Sequence, residues 1–182
     1  MEGLVTLLDK RLSAQVEAAW DELHQSCGIE HPIIGPAPHF SWHVAWAYDL
    51  PELEPALRKL AASQPVFRLN STGLGLFSGS PQWVLYIPVI KTREMIGLHA
   101  RLWKMAERFA ERAVPYYMPA VWQPHITLAM LPAHEDDNGA RLGQAVELFA
   151  GRSFDWEIRV DNLAVLSESE GRCFHIPFGG KQ

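Results

Sequence analysis

Cysteine is scarce in this chain: of 182 residues only Cys27 and Cys173 are cysteines. Two are too few for a disulfide framework and lack zinc-type spacing, so both are expected as buried free thiols. Long apolar runs are missing too. The opening MEGLVTLLDK has an acidic second residue and an apolar stretch of a few positions, which fits neither a signal peptide nor a membrane span. A cytoplasmic location with no membrane partner is the expectation. Positive charge is also in short supply. Sixteen Lys and Arg against 21 Asp and Glu leave a formal net charge of −5. Long nucleic acid is thereby disfavoured as a partner, because cationic side chains on phosphates supply most non-specific affinity. A short or terminal substrate fits better. There is no phosphate loop either: Gly73-Leu74-Gly75 has no third glycine and no GK[ST] after it, and it reads as strand.

What the chain does have is a repetition. Pro38-His39-Phe40-Ser41-Trp42 returns in chemical outline as Pro124-His125-Ile126-Thr127-Leu128. Proline before each histidine favours an extended entry. On a strand, side chains at i and i+2 share a face, so His39 and Ser41 are expected side by side at ~7 Å, as are His125 and Thr127, with the apolar residues between them facing a core. If the two strands face each other, two imidazoles and two hydroxyls converge. Such a set suits in-line displacement at phosphorus. One neutral imidazole takes a proton from the attacking oxygen and the other, protonated, gives one to the leaving oxygen. The hydroxyls donate to the non-bridging phosphate oxygens. This chemistry asks for no metal and no cofactor.

Other candidates are weaker. His39 and His43 have the spacing of a helical zinc pair, but position 40 is Phe where glutamate is needed. On a strand the two are about 13 Å apart, too far to share one ion. Strict alternation does put His43 on the face of His39 and Ser41, which makes it a candidate cleft-lining residue; the other reading is a histidine packed at the far end of the sheet. The run His134, Glu135, Asp136, Asp137 follows Pro132 at a helix start, where acids complement the helix dipole and cap it.

The remaining text predicts an α+β fold of largely antiparallel strands with outer helices. Residues 3 to 8 read as a strand. Asp9 caps a helix whose apolar positions run from Leu12 to Cys27, and Gly28 stops it. A loop from Glu30 to Pro38 leads into a strand from His39 to Tyr48. Pro51 opens a helix through Ser63, and strands follow near 66 to 69, 73 to 77 and 83 to 89. A long helix is predicted from Thr92 to Ala113 on the stripe Met95, Leu98, Leu102, Met105, Phe109. After the linker Val114 to Trp122 come the second motif strand, a helix from Glu135 to Phe149, and strands near 154 to 160, 162 to 167 and 173 to 178. Each motif strand is followed by a helix and then strands. That echo predicts two pseudo-symmetric lobes within one domain, residues 1 to 182, with the histidines meeting in a cleft between them.

The two motifs, 86 positions apart (39 to 125), resemble the 2H phosphoesterases, the superfamily of RNA 2′,5′-ligase-like proteins and 2′,3′-cyclic nucleotide phosphodiesterases. Its mark is one H-x-[ST]-x motif per lobe. The order of elements, including FRLNSTGLGLF and PHITLA, resembles the family over most of the chain. The first motif carries serine for the commoner threonine, which keeps the hydroxyl. The resemblance implies an enzyme that opens a cyclic phosphate or a 2′,5′-linked phosphodiester on a small nucleotide or RNA terminus; a monomer is the expectation, though the sequence itself does not decide oligomeric state. By position rather than by motif the resemblance also makes Tyr116, Tyr117 and Trp122, just upstream of the second motif, candidates for the cleft rim, one of them stacking on a nucleotide; the other reading is core packing. Two alternatives stay open: a nucleotide- or RNA-end-binding module without turnover, and a metal-dependent hydrolase.

Overall fold

The computed structural model describes residues 1–31, 37–79, 81–167 and 171–180, with the backbone alone of 172 and 173. The predicted loop from Glu30 to Pro38 therefore lies largely outside the described residues, as does the Cys173 side chain. In chain order the elements are β1 (Glu2–Leu7), α1 (Lys10–Cys27), β2 (His39–Tyr48), α2 (Leu50–Ser63), β3 (Phe67–Asn70), β4 (Gly75–Phe77), β5 (Gln82–Pro88), α3 (Arg93–Ala106), β6 (Ala110–Ala113), β7 (His125–Pro132), α4 (Asn138–Phe149), β8 (Glu157–Val160), β9 (Asn162–Ser167) and β10 (Gly171–Pro177).

Local chemistry explains most of these limits. Asp9 accepts the Leu12 amide at 2.8 Å and so caps α1. Gly28, at φ 62°, closes it with its own N–H on the carbonyls of Leu23 and His24. Cys27 is a buried free thiol, and burial raises its pKa.

Among the described residues every strand ladder is antiparallel, as the α+β reading predicts. A five-stranded sheet runs β10-β9-β1-β2-β6, a three-stranded sheet runs β4-β5-β7, and β3 pairs with β8. The helices cross over. α1 leaves the five-stranded sheet and packs on β7, while α3 leaves the three-stranded sheet and packs on β2. Each sheet is thus backed by a helix that follows a strand of the other, and the two units β1-α1-β2 and β5-α3-β7 share one apolar core reaching from Leu4 to Ile176.

Two sequence expectations fail. The helix predicted to Ala113 ends at Ala106, and residues 110–113 form β6, an edge strand on β2 with Ala45 opposite Ala113 and Tyr48 opposite Ala110. The run FAERA has good helix propensity, but propensity yields to the unpaired edge of β2, whose ladder groups need partners. Thr92 is still the N-cap and accepts the Met95 amide. The acidic run before α4 is the second failure. Asp137 is the N-cap residue at φ 71°, yet its side chain makes no capping bond. The local bonds come instead from Asn138, whose amide donates to the carbonyl of Pro132 at 2.8 Å and to the Glu135 carboxylate at 3.3 Å.

Candidate active site

β2 and β7 are built alike, residue by residue. Leu7 pairs with His39 and Val5 with Ser41; the register then slips, so that Leu4 pairs with His43 and Trp42 is an extra residue. In the other unit Pro88 pairs with His125 and Tyr86 with Thr127; Leu85 then pairs with Ala129, and Leu128 is extra. Each motif thus contains a β-bulge directly after its hydroxyl residue. A bulge places two successive side chains on one side and reverses the alternation beyond it. His39, Ser41 and Val44 accordingly line one cleft of about 740 Å³ together with His125, Thr127 and Met130. Trp42 and His43 turn into the core, as do Leu128 and Ala129.

The bulge corrects the expectation for His43. It is 0 % exposed and lines no cleft. Its Nδ1 shares a 2.6 Å hydrogen bond with the Tyr48 hydroxyl, its ring lies 4.6 Å from that of Trp103, and its Nε2 has no hydrogen-bond partner. Burial, helped by the nearby His99, lowers its pKa to about 4. Trp122 also departs from expectation: at 2 % exposure it is core, not rim. Tyr116 and Tyr117 do line the cleft. Tyr116 is 79 % exposed, and the Tyr117 hydroxyl shares a hydrogen bond with the Ser41 side chain.

The bulges also interrupt the ladders, and carbonyls there accept from side chains instead. The Ser41 carbonyl takes the indole N–H of Trp122 at 3.0 Å, and the Thr127 carbonyl takes that of Trp20 at 3.1 Å. Next to Ser41, the Trp42 carbonyl accepts from His99 Nε2 at 3.0 Å. His99 shares that proton with the carbonyl of Tyr117 at 3.1 Å and stacks on Trp122 with ring centres 3.7 Å apart. Aromatic N–H groups therefore hold both hydroxyl-bearing residues by their backbones.

Both motif histidines are anchored in the same way. His39 Nδ1 lies 2.8 Å from the carbonyl of Ala37, and His125 Nδ1 lies 2.8 Å from that of Gln123. A carbonyl only accepts, so Nδ1 carries the proton and Nε2 is the free nitrogen of each neutral ring. Burial lowers the pKa of His39 to about 4, against the raising effect of the Ala37 carbonyl and with a further lowering by His125. Burial lowers that of His125 as well, against the Gln123 carbonyl. His39 thus senses the charge of His125 across the cleft. Two neutral bases flank a space with two hydroxyls, and an anion placed there favours protonation of one of them.

Phe77 and Tyr86, which the sequence did not single out, frame His125 with ring centres 5.0 and 5.1 Å away. Gly75 belongs to the same packing: a Cβ there would meet the Tyr86 ring at 2.4 Å, so this glycine serves close approach and not flexibility. No three of His, Cys, Asp and Glu come together as metal ligands among the described residues.

A family model, the 2′-5′ RNA ligase superfamily, matches residues 9–172. The chain belongs to that superfamily. Solved structures of the same fold include TT0787 of Thermus thermophilus, at 17 % identity and TM-score 0.63, with 100 % of this chain and 99 % of that one covered. Usb1 of Kluyveromyces marxianus with uridine monophosphate matches at 11 % identity and TM-score 0.57, covering 97 % and 98 %. E. coli LigT with 3′-AMP matches at 20 % identity and TM-score 0.53, covering 97 % and 93 %. No curated protein matches the chain. Across the superfamily match, both H-x-[ST] motifs fall inside the covered residues, and no helix among the described residues is long and apolar enough to cross a membrane.

Proposed function

We propose that the chain is a phosphoesterase that opens 2′,3′-cyclic phosphates or related cyclic or 2′,5′-linked phosphodiesters of small nucleotides, with His39 and His125 as paired acid and base. The observation that carries this reading is the matched anchoring of the two rings, each with Nδ1 on the carbonyl two residues before it and each beside a hydroxyl in one cleft. Ser41 and Thr127 hold the phosphate by donating to its non-bridging oxygens. One imidazole Nε2 takes a proton from water as the water oxygen bonds to phosphorus. The other, protonated once the anionic substrate is in place, gives its proton to the ribose oxygen as the P–O bond breaks. A phosphomonoester and a free hydroxyl result, and the two histidines have exchanged protonation states.

The bound nucleotides of the Usb1 and LigT structures support a nucleotide as the kind of ligand. The test is incubation with the four 2′,3′-cyclic mononucleotides and a 2′,5′-linked dinucleotide, with and without EDTA. The reading expects turnover in both conditions. Activity abolished by EDTA would point to a metal-dependent hydrolase, and tight binding without product to a binding module.

A further inference from the structure

The phosphate-facing side of β2 continues past the mouth of the cleft. Beyond the bulge, Val44 lines the cleft and Ala45 is buried in the core, so alternation puts Trp46 on Val44's side, one step further out. The chain beside it repeats the pattern. Val114, whose N–H donates to the Val44 carbonyl at 2.8 Å, also lines the cleft. Two residues before it, Arg112 lies between Glu111 and Ala113, the ladder partners of Ala47 and Ala45, and so stands across from Trp46. Its guanidinium sits over the Trp46 ring, 5.6 Å from the centre. The partners of Ser41 and Ala45 are Val5 and Glu2, three residues apart on β1, so Trp46 is four rungs from Ser41, or about 13 Å.

Both residues are unfavourably placed for the fold alone. Trp46 leaves 60 % of its surface in water. Arg112 is held at φ 51°, a region that side chains with a Cβ rarely occupy and where strain clusters at ligand sites. Its contact with Glu111 is a long one, Nε to Oε1 at 3.8 Å between two exposed side chains, which contributes little and leaves the terminal nitrogens of the fork to another anion. No described lysine or arginine lines the cleft itself.

We propose that Trp46 and Arg112 form an outer subsite for a short single-stranded RNA end: the indole stacks an upstream base and the guanidinium binds the phosphodiester beside it. The inference rests on the phosphoesterase reading for the position of the terminal phosphate between the motifs. The terminal nucleoside then fills the cleft, and the chain leaving its 5′ oxygen passes Val44 and Val114 to reach the pair. An exposed aromatic face takes any base, and one cation at the mouth suits a few nucleotides of a chain that is acidic overall.

The test compares adenosine 3′-phosphate with a triadenylate RNA carrying a 3′-phosphate, by titration calorimetry on the wild-type chain. Neither ligand has a cyclic ester, so binding is read apart from turnover. The trinucleotide is expected to bind at least ~10-fold tighter. Trp46→Ala should narrow that gap by ~5-fold or more and Arg112→Gln by ~3-fold, the latter also weakening its salt dependence, while both leave the mononucleotide within ~2-fold. Trp46→Tyr, which keeps an aromatic face, should retain most of the gap. Equal binding of the two ligands overturns the subsite, as do failure of both to bind and variants that weaken both alike. A gap unchanged in either variant overturns that residue's role. If adenosine 2′,3′-cyclic phosphate yields no product while the gap holds, the phosphoesterase reading falls and the subsite stands; product without a gap does the reverse.

Discussion

The two motif units present the same groups to the cleft and differ in what stands behind them. His39, Ser41 and Val44 match His125, Thr127 and Met130 one for one. Behind β2 lies a polar-aromatic stack of Trp42, His99, Trp122 and the buried His43. Behind β7, Leu128 and Ala129 occupy the positions of Trp42 and His43, and Trp20 alone reaches back to the Thr127 carbonyl. Around the histidines the contrast is reversed: His125 sits between Phe77 and Tyr86, and no aromatic ring stands that close to His39 among the described residues. Tyr86 faces Thr127 across the ladder where Val5 faces Ser41, and the first unit draws its tyrosine from the linker as Tyr117. What the two halves share is the catalytic proposal. What they do not share is support, and that is where they can be told apart.

The largest expected effect is on stability in acid. His39, His43 and His99 all have folded pKa values near 4 because of burial, against about 6.5 in the unfolded chain. Between those values the unfolded state binds more protons than the native one, so stability falls as the pH drops from 6.5 towards 4 and levels off below. Each histidine contributes a slope of up to about 1.4 kcal/mol per pH unit in that window. Denaturant melts at pH 7, 5.5 and 4.5 should show this, and His43→Ala should flatten the slope by roughly one histidine's share. An unchanged slope would mean that the first unit is not acid-sensitive through its buried imidazoles.

Next come the cleft hydroxyls. Ser41→Ala and Thr127→Ala should each lower kcat/KM on a 2′,3′-cyclic mononucleotide by ~10- to 100-fold, by loss of one donor to the phosphate. Near-equal losses would fit the symmetry of the cleft face, and a loss confined to one would break it. The indole clamps should separate the halves. Trp122→Phe removes the donor of the buried Ser41 carbonyl inside a stacked core and should cost about 1–3 kcal/mol in stability. Trp20→Phe, at a half-buried site, should cost less. The smallest effect on turnover belongs to His43→Ala, which makes the first unit resemble Ala129 of the second: kcat/KM should stay within ~3-fold, although the chain loses stability. A large loss of turnover there would return His43 to the site.

Much of this was legible in the chain. β2 begins at His39 and ends at Tyr48, and α1 runs between Asp9 and Gly28, because prolines, a capping carboxylate and a left-handed glycine are local signals. The bulges were not legible. An extra residue in one strand is set by its pairing with another, and nothing in FSWHV marks it. Period-2 reasoning therefore sent His43 to the cleft and overlooked Val44 and Met130. Laying the two motifs side by side supplies the signal that was available: His43 falls opposite Ala129, and a cleft group of one copy with only a methyl in the other has no counterpart in a paired mechanism. β6 escaped for the same reason as the bulges, since its sequence suits a helix and only the open edge of β2 makes it a strand. Trp20, Phe77 and Tyr86 reach the site from elements distant in sequence, which no local pattern reveals.

The central claim is that His39 and His125 act as one acid-base unit. Measuring kcat/KM for a 2′,3′-cyclic mononucleotide with His39→Ala, His125→Ala and the double variant tests it most directly. Residues that work as a unit are non-additive, so each single variant should lose at least ~100-fold and the double little more than the worse single. Wild-type turnover in either single variant, or losses that multiply in the double, would contradict the account.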